Sequence, residues 1–116
     1  MMMLVLPVMA YADNCESTRN VYDSIYCTNK IFANADADLN KNYQQLRKSL
    51  NDKQKTILKN SQLAWIRDRD EACSSEADQS VQVGCNLRYT QERNHFLIER
   101  IRECKTVGCK TSKLYE

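Results

Sequence analysis

From Ile25 onward, apolar and small residues recur every three or four positions: Ile25, Thr28, Phe32, Ala35, Leu39, Tyr43, Leu46 and Leu50. That spacing marks one face of an amphipathic helix, and no Gly or Pro interrupts it. Ser17 or Thr18 can cap its start. A first helix is therefore expected from about Thr18 to Ser49, with its weak point at Asn29 to Asn34, where a kink would divide it in two. Asn51-Asp52 breaks the pattern, and Asn51 followed by Gln54 three residues later has the form of a capping box. A second helix is expected from about Asp52 to Ala77, then a polar connection from Asp78 to Gly84. A third runs from about Cys85 to Cys104, with Leu87, Thr90, Asn94, Leu97, Ile101 and Cys104 on one stripe. Val107-Gly108 ends the regular structure, and Lys110 to Glu116 reads as a flexible tail.

The second helix carries the most informative stretch, Leu58 to Cys73. Leu58, Trp65 and Ala72 fall on one stripe, and Gln62, Ile66, Arg69 and Cys73 on the stripe beside it. The chain's single tryptophan thus shares a face with Gln62 and Arg69, a mixture that implies a buried polar contact beside the core.

Composition narrows the fold. The 116 residues suffice for one modest core, and two glycines with one proline are too few for the turns of a sandwich or barrel. Short connections favour antiparallel neighbours. The expectation is all-α: a disulfide-stapled antiparallel three-helix bundle spanning residues 13–109. A net charge of +2 without a basic run excludes a dedicated nucleic-acid binder.

Six cysteines in so short a chain point to an oxidising compartment. The first residues agree: Met1 to Met9 is apolar, and Ala10-Tyr11-Ala12 reads as a cleavage site, so residues 1–12 have the character of a signal-peptide remnant. The mature protein is expected to be periplasmic or secreted, with no transmembrane span. Two cysteine pairings compete. Cys27 and Cys73 stand at nearly equal distances from Asn51, which puts them at one height across a helical hairpin and leaves Cys15 for Cys85. The rival pairs Cys73 with Cys85 around their own turn and leaves Cys15 with Cys27. On a continuous helix those two would stand roughly 18 Å apart, so the rival requires the first helix to start later than Thr18. Cys104 and Cys109 should close a small loop. Each long-loop bridge adds about 2–4 kcal/mol, which a small core needs.

Little in the chain looks catalytic. His95, the only histidine, sits on a helix and reads as a surface or packing residue. Asp68 with Glu71 share a helix face without a second sign of acid–base chemistry. The cysteines lack close CxxC pairs, so neither a metal nor another cofactor is expected. Arg69, Asp70 and Arg93 read as a network tying the second helix to the third, and Trp65 as a core anchor. One group resists a purely structural account: Asp70, Glu71, Glu76 and Asp78 crowd the end of the second helix, where the macrodipole disfavours anions. Either Arg67, Arg69 and Arg88 neutralise them, or they are candidate contacts for a basic protein partner.

Several segments carry a resemblance. Cys27; Asp36-x-x-Leu39-Asn40-x-x-Tyr43; Leu58-Lys59-x-x-Gln62-x-Ala64-Trp65-Ile66-x-x-Arg69-Asp70-x-x-Cys73; and Cys85 with Thr90-x-x-Arg93 occur in the order and spacing of a known family. In these segments the chain resembles the LprI-type lysozyme inhibitors, small secreted helical proteins of bacteria. It departs from them in reducing a Gly-rich stretch to Gly84 and in adding Cys104 and Cys109. The resemblance implies a non-enzyme that binds lysozyme or another peptidoglycan hydrolase and blocks its cleft sterically. Two other roles fit the same fold: an immunity-type protein against a delivered toxin or hydrolase, and a periplasmic structural or stress module.

Overall fold

The computed structural model describes Cys15, residues 21–74 and residues 78–116. Three helices follow one another: α1 (Val21–Lys48), α2 (Asp52–Ser74) and α3 (Gln79–Thr106), closed by a short 3-10 helix (Thr111–Tyr115). The described residues include no strand. The apolar run Met1 to Met9, the cleavage motif and Glu76 lie outside the described residues.

The α1–α2 turn is built as the sequence implies. Asn51 N–H donates to Gln54 Oε1 at 3.0 Å, and Gln54 N–H donates to Asn51 Oδ1 at 2.8 Å. This reciprocal pair satisfies amides that the first turn of α2 would otherwise leave free. The turn is tight, so α2 runs back along α1, and α3 returns in the direction of α1. The heights agree: Asn94 Nδ2 donates to the Ala35 carbonyl at 2.9 Å, and Arg69 Nη1 lies 3.8 Å from Asp36 Oδ1. The backbones of α1 and α3 approach most closely, while α2 stands further off and meets α3 and the 3-10 helix.

Leu39, Leu46, Leu50, Leu58, Leu97, Ile101 and Leu114 form the core, with Tyr43, Ile57, Trp65 and Phe96 packed against it. Each fully buried leucine stabilises the fold by about 1.5–3 kcal/mol. All eight positions of the predicted α1 stripe, Ile25 to Leu50, are buried or half-buried. α1 is continuous through Asn29 to Asn34 and is not divided in two there.

Three expectations need correction. The preferred pairing of Cys27 with Cys73 and of Cys15 with Cys85 does not form. The bridges are Cys15–Cys27, Cys73–Cys85 and Cys104–Cys109, with Cα separations of 5.7, 5.5 and 4.0 Å. The reason lies in where the helices begin. The Cys15–Cys27 Cα separation of 5.7 Å is far short of the roughly 18 Å that a continuous helix would impose. In addition, α3 starts at Gln79, ahead of the expected Cys85, and runs straight through Gly84. Residues 79–84 are therefore helix and not a polar connection, and Cys85 falls in the second turn of α3, opposite Cys73 in the last turn of α2.

The third correction concerns residues 110–116. They do not form a loose tail. Gly108, at φ 101°, ends α3 with a backbone turn that a side chain would strain. The chain then folds back as the 3-10 helix and buries Leu114 to 1% exposure. Gln54 Nε2 donates to Thr111 Oγ1 at 3.0 Å, so the residue that caps α2 also holds this return segment.

Candidate binding surface

Two arginines organise the space between α2 and its neighbours. Arg69 on α2 donates from Nη1 to Thr90 Oγ1 on α3 at 3.2 Å and from Nε to Asp70 Oδ1 at 3.2 Å. Its guanidinium lies 5.1 Å from the centre of the Trp65 ring and 5.8 Å from that of Phe32. Arg93 on α3 is 4% exposed. It donates from Nε to Gln62 Oε1 at 2.8 Å, from Nη2 to Ser61 Oγ at 3.1 Å and from Nη1 to the Glu116 carbonyl at 3.1 Å. Its guanidinium also packs over Phe96 at 4.2 Å and Trp65 at 5.8 Å. Burial lowers the Arg93 pKa to about 10, because dehydration disfavours the charged guanidinium.

These contacts are the polar network the sequence implied, with one change. Asp70 does not cross between helices: it is exposed and binds its own neighbour, Arg69, at 3.1 Å. The cross-links run instead through Thr90, Gln62 and Ser61. Trp65 packs against the core, half-buried between the two guanidiniums.

The motif residues converge on one place. Asp36, Leu39, Asn40 and Tyr43 of α1 face Lys59, Gln62, Ile66 and Arg69 of α2 across an open groove of about 490 Å³. Leu63 adds an exposed apolar side chain, 48% accessible, to its wall. The groove exists because α2 stands off from α1. Sequence periodicity placed these residues on two facing stripes, but it held no signal for a gap between them.

On the other flank of α2, a smaller cleft of about 270 Å³ opens towards α3. Trp65, Tyr89, Phe96 and Arg93 line it, together with Asp68, Glu92 and Glu116. Its carboxylates come from separate elements, so no local run of acidic residues announced them.

The acidic group expected at the end of α2 is dispersed. Asp70 is paired with Arg69, and Glu71 is exposed. Asp78 directly precedes α3, where its carbonyl accepts from Gln82 N–H at 3.0 Å and the macrodipole favours an anion. Glu76 lies outside the described residues. Among the described residues, no group of histidines, cysteines or carboxylates could hold a metal ion. His95 is exposed on α3. No described helix is long and apolar enough to cross a membrane.

The family model for lysozyme inhibitor LprI matches residues 12–97. The chain belongs to the LprI lysozyme inhibitor family. No curated protein and no solved structure gives a match. The LprI match takes in the four cysteines of the first two bridges, both arginines and every motif residue of the α1–α2 groove. It stops before the Cys104–Cys109 loop and the 3-10 helix.

Proposed function

We propose that this LprI protein is a periplasmic or secreted inhibitor of lysozyme, acting by steric occlusion and without chemistry of its own. Membership of the LprI family is the observation that carries the reading. The architecture supports it. Disulfides fix both ends of the helical assembly, and Arg69 and Arg93 lock α2 to α3. A surface held in this way loses little conformational entropy when it meets a partner.

The contact element in this reading is α2 with the grooves on its two flanks. A standard protein interface covers roughly 800 Å² on each partner, more than either groove alone, so one footprint spans both. Asp70 and Glu71, exposed near the end of α2, fall within such a footprint and would meet a basic enzyme favourably. Residues 1–12 would be the export leader, consistent with an oxidising destination for three bridges.

The direct test is a lysozyme activity assay on peptidoglycan with the oxidised protein titrated in. Stoichiometric loss of turnover is expected. Full lysozyme activity at a large molar excess of the protein rules the reading out, and capture of a different hydrolase or toxin would then favour an immunity role.

A further inference from the structure

The two flanks of α2 differ in charge and in lining. The α1–α2 groove carries Asp36 against Lys59 and Arg69. The α2–α3 cleft sets three aromatic rings, Trp65, Tyr89 and Phe96, beside the carboxylates of Asp68 on α2 and Glu92 on α3. Both of these carboxylates are exposed. Among the described residues, neither has a hydrogen bond or an ion pair. Three other carboxylates are matched by arginines, Asp70 by Arg69, Glu99 by Arg102 and Glu103 by Arg100, while among the described residues Asp38, Asp52 and Glu71 are exposed without an ion pair but do not line this cleft.

We infer that the α2–α3 cleft is a docking site for a cationic side chain, an arginine or lysine projecting from a basic protein partner. Charge complementarity selects this occupant. The carboxylates on two sides of the cleft attract and orient a cation, and the rings beside them, whose faces already hold Arg69, Arg88, Arg93 and Arg100, offer apolar surface to its aliphatic stem. Arg93 lies in the same cleft but does not oppose entry on equal terms. It is almost fully buried, and its N–H groups are turned to Gln62, Ser61 and the Glu116 carbonyl. The two exposed acids outnumber its single charge at the cleft mouth. The inference deepens the inhibitor reading by naming the chemistry of the contact, and it stands or falls separately from it.

Trp65 is the only tryptophan in the chain, so its emission reports on this cleft. The probe is a tryptophan-free hexa-arginine peptide, titrated at low salt into the oxidised full chain. A saturable change in Trp65 emission is expected, weakening as salt rises. The double variant Asp68→Lys/Glu92→Lys should weaken it at least tenfold. A control of equal charge change elsewhere, Asp38→Lys/Asp52→Lys, should bind within about threefold of wild type. Asp68→Asn/Glu92→Gln, close in shape, guards against a folding defect and should also weaken binding. The absence of a saturable change, or an equal loss in the cleft and control variants, overturns the inference. A basic animal-type lysozyme is then assayed with the same proteins, and the cleft variant should inhibit at least tenfold less well. Peptide binding with no inhibition of lysozyme by wild type would uphold the cleft and overturn the inhibitor reading.

Discussion

Arg93 Nε donates to Gln62 Oε1 at 2.8 Å, joining α3 to α2 inside the protein where neither group meets water freely. A charge in that position is tolerated because each side of the guanidinium finds an oxygen. Removing the acceptor should therefore cost more than an ordinary hydrogen bond. Gln62→Leu should destabilise the fold by about 2–3 kcal/mol, the range for stranding a charged donor, as read from urea unfolding. A loss below 0.5 kcal/mol on the order of a surface substitution would show that Arg93 does not depend on Gln62.

The depressed pKa of Arg93 gives a pH test with a definite sign. Its folded pKa is lowered by burial to about 10, so in the alkaline window that opens there the unfolded chain binds more protons and stability rises with pH. Neutral pH lies below that window. Arg93→Lys moves the window down, since free lysine titrates near about 10.4 and the same burial lowers it further in the folded state. The variant should be less stable than wild type at pH 7, and the deficit should shrink as pH rises towards about 10. Urea unfolding at a series of pH values checks this; a deficit that stays constant from pH 7 to 10 would count against a buried charge at this position.

Leu114 offers a test of the return segment. It is 1% exposed and belongs to the core, although it lies beyond the cysteine loop that closes α3. Leu114→Ala should cost about 2–5 kcal/mol, as for other buried leucines. A frayed tail would give a change near zero. Thermal unfolding followed by circular dichroism distinguishes the two.

The helix faces were legible in the sequence because a helix reports its buried side locally, through spacing alone. Ala35, Leu39 and Leu46 on α1 and Thr90, Leu97 and Ile101 on α3 are buried as their stripes imply. The Asn51–Gln54 cap was legible for the same reason, since both partners lie within one turn. The Cys104–Cys109 loop was legible too, but the pairing of the other four cysteines was not, because that choice depends on helix starts. A shift of six residues in the start of α3 carries Cys85 from the expected first position of the helix into its second turn, facing Cys73. Leu114 was missed because a single leucine among polar residues has no period. The flanking grooves were missed because spacing fixes which side faces a neighbour, not how far away that neighbour stands.

The Asn51–Gln54 pair should be worth a measurable amount on its own. Asn51→Ala removes the oxygen that accepts from Gln54 N–H and should cost about 1 kcal/mol. Because Gln54 also reaches Thr111, Gln54→Ala should cost more than Asn51→Ala and should raise amide exchange in residues 111–115. Equal costs, with unchanged exchange in that segment, would mean that the link to Thr111 contributes nothing.

Gly84 tests the extension of α3. It lies inside the helix, its φ is not in the positive range, and a Cβ added there meets no atom within 4 Å. A glycine in a helix interior carries more backbone entropy in the unfolded state than alanine does, with no compensating contact here. Gly84→Ala should therefore raise stability by about 0.5–1 kcal/mol in urea unfolding, with the Cys73–Cys85 bridge intact. If residues 79–84 were instead a polar loop using Gly84 to turn, the same substitution would be neutral or destabilising. The sign of one measurement thus separates the two placements of the start of α3, and with them the reason that Cys73 pairs with Cys85.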